Sequence, residues 1–252
     1  MTRPRGALER PTPESLLEKA TQAKSSSVRA KYAQRGLTQV GALSNTTRMM
    51  LLRQLYLSQM EARCFQDALG AANEMIACNV MPDVARQDAA RACLGLGDAD
   101  AALDHLRIAS RVGPAARRAF HLWTLGTVLY LNGRPRDAIG ALERALRWGT
   151  VDKPLYAAQS ALARLALGEK VPDLAELREA LTDAPCGRGY GQFVLGELAF
   201  AQGDRAAARE YLSEFVRRIT GGRVALAVSL EGEVRRAQEL LRGLRSKRAV
   251  GD

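Results

Sequence analysis

Two stretches 70 residues apart carry the same spacing of leucine, glycine and alanine, and this recurrence constrains the fold more than any other feature of the chain. In residues 119–152, AFHLWTLGTVLYLNGRPRDAIGALERALRWGTVD, Leu122, Leu125, Gly126 and Leu129 fall at i, i+3, i+4 and i+7, on one face of a helix. Asn132-Gly133 marks a turn, and Ala138, Leu142 and Ala145 then fall on one face of a second helix. In QFVLGELAFAQGDRAAAREYLSEF the residues Leu195-Gly196, Gly203, Ala208, Leu212 and Phe215 repeat these offsets. A helical hairpin with one apolar side cannot bury that side alone, so copies are expected to stack on one another.

Further copies lie upstream. Gly97-Asp98, Ala102, Leu106, Ala109 and Pro114 fit a unit starting at Asp83, and Leu52, Leu55 and Ala68 fit one starting at Met49, 34 residues earlier. The pattern resembles that of the tetratricopeptide repeat (TPR) family, W-x2-L-G-x2-Y, then A-x3-F, then P, over roughly residues 49–222. It departs from that pattern at the leading Trp, which is Leu122, Gln192 or Arg86, and at the terminal Pro, kept only as Pro114. The unit at 153–188 is two residues over length, with Gly168 ending its first helix and Pro172 opening its second.

The resemblance implies an all-α, right-handed α-solenoid of stacked antiparallel hairpins, with repeats at 49–82, 83–118, 119–152, 153–188 and 189–222. Before it, residues 1–11 read as a disordered tail and 12–48 as a helical hairpin, either a cap or a degenerate repeat. After it, 223–244 reads as a C-terminal capping helix with a break at Gly232, and 245–252 as a basic tail.

The chain has 252 residues, of which 47% are apolar and 25% charged, enough to bury a continuous core. Its net charge of +10 is confined to the ends: +6 over residues 1–48, +5 over 217–252 and −1 between them. Basic ends of this kind are commonly solvated, and no nucleic-acid module is recognisable. Cys64, Cys78, Cys93 and Cys186 show no paired spacing and read as reduced thiols. With no apolar run of membrane-spanning length and no leader-like segment, the expected location is cytoplasmic. The 31 Arg against 6 Lys point to a GC-rich bacterial genome.

Little in the sequence suggests catalysis, and no cofactor or metal is expected. His105 and His121 occur singly, without metal-ligand spacing. Gly187-Arg188-Gly189-Tyr190-Gly191 could cradle an anion, but no strand precedes it and no Gly-Lys-Ser/Thr follows, so it reads as a joint between repeats.

In TPR proteins the first helices of successive repeats line a concave groove, so the resemblance implies that the residues off their core stripe meet a partner. Here these are Phe120, Trp123, Thr127 and Tyr130, then Tyr190, Phe193, Glu197 and Phe200; earlier copies supply Met50, Arg53, Leu57, Gln87 and Arg91. Arg53 and Arg91 would be available for a carboxylate. The same aromatics could equally serve packing between repeats. The Lys and Asn that TPR cochaperones use to clamp an acidic chaperone tail are replaced by Arg53, Leu57, Gln87, Arg91, Trp123 and Thr127, which argues against that ligand. The expected function is a non-enzymatic adaptor holding a segment of a partner protein. The alternative is a binder of nucleic acid or another anionic surface through its basic ends.

Overall fold

The computed structural model describes residues 11–39 and 43–246. The described chain is helical throughout, and the helices pair as antiparallel hairpins that stack in sequence order. They are α1 (Pro13–Gln22) with α2 (Ser26–Leu37), α3 (Asn45–Glu61) with α4 (Phe65–Cys78), and α5 (Pro82–Gly95) with α6 (Ala99–Val112). Then come α7 (Ala115–Leu131) with α8 (Pro135–Trp148), α9 (Lys153–Ala166) with α10 (Leu174–Asp183), and α11 (Gly191–Ala201) with α12 (Arg205–Thr220).

Local chemistry sets the helix ends. Thr12, Ser25, Ser44, Asp98 and Asp204 each accept a backbone N–H three residues on, and Pro13, Pro82 and Pro135 stand at the first helical position, where no N–H is needed. Between paired helices the chain turns through Gly97, Gly133 and Gly203, all at left-handed φ near +70 to +81°. In the α3–α4 turn the same place is held by Arg63, at φ +58°. A side chain there costs about 1–2 kcal/mol relative to glycine.

The recurring Leu-Gly pair has a packing cause. A Cβ on Gly126 would lie 2.5 Å from Leu142, and one on Gly196 2.5 Å from Leu212, so each hairpin closes only because its first helix lacks a side chain there. Leu122, Leu142, Ala138, Ala145, Leu212 and Phe215 are fully buried, and the core falls into successive clusters bridged by half-buried residues such as Leu69, Trp123 and Tyr130.

The C-terminal segment, expected as a capping helix over 223–244 with a break at Gly232, is interrupted two residues earlier. It forms α13 (Val224–Ser229) and α14 (Glu231–Ser246), with the break at Leu230 rather than Gly232. Helix α14 caps the last hairpin: Ala237, Leu240 and Leu244 are buried, it packs on α11 and α12, and Arg205 donates to the Leu244 carbonyl at 2.7 Å. Helix α13 does something else. It touches α3 and α5, at the other end of the stack, and Val228 packs against the cluster of Met49, Leu52, Tyr56 and Met60. The apolar residues on several sides of α3 are thereby explained, since α1, α2, α4 and α13 all contact it.

Candidate functional site

The excursion of residues 221–235 borders a half-open cavity of about 1560 Å³ that is also lined by α5 and α7. Its apolar wall includes Leu94, Val128, Leu131, Ile219, Leu226 and Val228; its aromatic wall is Phe120, Trp123, Tyr130 and Tyr190. Six arginines (63, 91, 218, 223, 235 and 236) face three glutamates (231, 233 and 239), leaving the wall net positive.

The aromatic stripe forms a contiguous surface, anchored by buried polar groups. Phe120 lies 5.6 Å from Trp123, and Trp123 meets the edge of Tyr190 at 4.9 Å between ring centres. The Trp123 indole N–H donates to Gln159 Oε1 at 2.5 Å, and the Thr127 hydroxyl donates to the same oxygen at 3.2 Å. Gln159 Nε2 reaches the Tyr190 hydroxyl at 3.5 Å, which in turn donates to Glu233 of α14 at 3.3 Å. Alongside, Tyr130 donates to Glu197 at 3.4 Å, and Arg236 of α14 donates to the same oxygen at 3.0 Å. Burial raises both carboxyls, that of Glu233 to about 7; Arg236 and the Tyr130 hydroxyl offset part of the rise at Glu197. Burial also holds the Tyr190 hydroxyl well above its ordinary value.

These contacts redistribute the residues expected to line a groove. Trp123, Thr127, Tyr130, Tyr190 and Glu197 do come together, but they hold the chain's own C-terminal helix. Phe193 is fully buried beside Phe215, because α11 is enclosed by α9, α12 and α14. Phe200 is exposed, outside the cavity wall. Phe120 is 41% exposed and is the most open aromatic of the wall. Met50 and Leu57 are half-buried against the α3–α4 core.

Arg53 and Arg91, expected to be available for a ligand carboxylate, instead share Asp88: Arg53 Nε lies 3.1 Å from one oxygen and Arg91 3.9 Å from the other. Burial raises the Asp88 carboxyl, against the pull of the two guanidiniums. Gln87 is buried and its Oε1 accepts from His121 Nδ1 at 2.5 Å, while His121 Nε2 lies 2.8 Å from Asp83. Arg117 reaches both Asp83 oxygens, at 2.7 and 3.1 Å. Burial would raise the Asp83 carboxyl, but its bonds to Arg117 and His121 hold it at about 2. His121 is therefore part of a closed lock between α5 and α7, with no open face for a substrate.

The glycine-rich joint is likewise structural. A Cβ on Gly187 would sit 2.0 Å from the Leu181 carbonyl oxygen and one on Gly191 2.1 Å from that of Cys186, while Gln192 donates to the Gly187 carbonyl at 2.8 Å. Among the described residues, no cluster of His, Cys, Asp and Glu could hold a metal ion, and no helix is long and apolar enough to cross a membrane. No protein-family model and no curated protein matches the chain.

Sequence reasoning passed over Gln159, Glu233, Arg236, Arg63 and Glu231. The usable signals were an Arg where the other turns have Gly, and Glu231-Gly-Glu233 within an otherwise basic segment.

Proposed function

We propose that the chain is a TPR-like, right-handed solenoid that acts as a non-enzymatic adaptor, binding a segment of a partner protein along its inner face. The observation that carries this reading is the cavity of about 1560 Å³ beside Phe120 and Trp123. It exceeds the roughly 300–1,000 Å³ of small-molecule sites and suits a peptide segment. Aromatic anchors with arginines around them are the composition of interface hot spots. Phe120→Ala removes the most open anchor without touching the Gln159 network. Partner capture should fall at least tenfold while the thermal melt is unchanged; undiminished capture would remove the inner face as the binding surface.

A second reading, binding of an anionic surface, is favoured by a shallow depression between α6 and α8. Arg107, Arg111, Arg134, Arg136 and Arg144 surround it, and Gly140 leaves its floor open. Asp104 pairs with Arg107, and Asp100 and Asp137 with Arg134, leaving Arg111, Arg136 and Arg144 without an ion pair among the described residues. This reading requires steeply salt-dependent binding of a polyanion that is lost on Arg111→Glu with Arg144→Glu.

A further inference from the structure

We propose that residues 221–231 are a clasp that occupies the inner face as a built-in competitor, and that the partner segment carries the clasp's own chemistry: a short apolar helical turn followed, three residues after Val228, by a carboxylate. This rests on the inner face being the partner-binding surface.

Three observations support it. First, the clasp spans the two ends of the stack. Val228 packs on the α3–α4 core, and Glu231 lies 2.8 Å from Arg63, 168 residues away in the chain. Second, Arg63 stands in the left-handed turn position that Gly97, Gly133 and Gly203 fill elsewhere. Asn79 and Asp173 also take positive φ, but Arg63 alone of the three replaces the interhelical turn glycine and gives its guanidinium to the clasp carboxylate; strain of this kind clusters at switch and clamp sites. Third, α13 is loosely held. It contributes no buried residue, Val224 and Leu226 remain 56% and 45% exposed, and the large cavity lies directly beneath it. By contrast α14, the next helix, is anchored by buried Ala237, Leu240 and Leu244 and by buried Glu233.

A segment that satisfies the same groups can therefore exchange with the clasp while the capping helix stays in place. Arg218 of α12 and Arg235 of α14, on the cavity wall outside the clasp, make no ion pair among the described residues, so further carboxylates on the incoming segment find counter-charges. Any such ligand is tighter when the clasp is already open, because the competent state is then fully populated.

The test uses a labelled peptide of residues 223–233, RVALAVSLEGE, and full-length protein. Glu231→Arg opens the clasp by like-charge contact with Arg63; both side chains are about half exposed, and circular dichroism should be unchanged. The peptide is expected to bind the Glu231→Arg protein at least tenfold more tightly than wild type. It should not bind Arg63→Glu, where the clasp is also open but the counter-charge is reversed; a peptide with Arg in place of its first glutamate should bind that variant. Equal binding to wild type and Glu231→Arg, or none to Glu231→Arg, would overturn the proposal. If the clasp fails in this way while Phe120→Ala still abolishes partner capture, the inner-face reading stands without it; peptide binding with no effect of Phe120→Ala is the converse.

Discussion

The guanidinium of Arg63 and the carboxylate of Glu231 meet at 2.8 Å across 168 residues of chain. They join the first turn of the stacked repeats to the segment that leaves the last one. Exposed pairs of this kind contribute little to global stability. Their consequence is local: they decide whether α13 lies on α3 or leaves it.

Arg63→Gly separates the turn from the clasp. Glycine relieves the left-handed backbone at this position, so the global unfolding free energy should stay within about 1 kcal/mol of wild type or rise. Amide exchange in residues 224–230 should nevertheless become faster, as the clasp loses its counter-charge. Slower or unchanged exchange would show that the pair holds nothing.

The docking of α14 should depend on pH through Glu233. Tyr190 donates to it, and the charges of Glu197 on α11 and Arg91 of α5 act on it; Gln159 of α9 bonds to Tyr190, and Arg236 of α14 to Glu197. Burial raises the folded-state value of Glu233 to about 7, from 4.5, so the folded state holds a proton that the unfolded chain has lost. The stabilising term is fully present below pH 4.5 and is lost as pH rises through about 7. Protection of α14 amides should thus fall between about pH 4.5 and 7, and Glu233→Gln should flatten that fall. A wild-type profile matching that of Glu233→Gln would contradict the assignment.

Asp83 acts in the opposite sense. Its carboxyl is held at about 2 by Arg117 and His121 although burial opposes this, so its contribution is present above pH 3.8 and lost as pH falls towards 2. The window corresponds to roughly 2 kcal/mol. Asp83→Ala leaves His121 and Arg117 without their carboxylate and should destabilise the fold by about 3–5 kcal/mol in urea unfolding.

The glycines divide by what a side chain would meet. Gly126→Val drives its Cβ into Leu142 and should cost about 1–3 kcal/mol or more. Gly140→Ala, in the middle of α8 with open space around it, should gain up to about 1 kcal/mol. Thermal melts of the two variants moving in the same direction would contradict the packing described.

The stacked hairpins were legible in the sequence because their causes are local. Leu125-Gly126 and Leu195-Gly196 report a close approach between adjacent helices, and Ser44, Asp98 and Gly133 report helix ends within a few residues. The aromatic stripe was legible as a stripe, yet its partners were not. Trp123 and Tyr190 find Gln159 and Glu233, residues whose roles no periodicity marks. Phe193 shares the spacing of its stripe but is covered by helices that come from either side, and only the path of the chain decides that. The contact of α13 with α3 joins segments with no shared pattern, so its traces were an arginine in a glycine's place and two glutamates in an otherwise basic segment.

Amide exchange of wild-type protein in the presence of excess RVALAVSLEGE peptide tests the central claim most directly. If the inner face takes such segments by displacing the clasp, the amides of residues 224–230 should exchange at least tenfold faster with peptide present, while those of α7 and α8 are unchanged. Exchange in residues 224–230 that does not respond to saturating peptide would contradict the account.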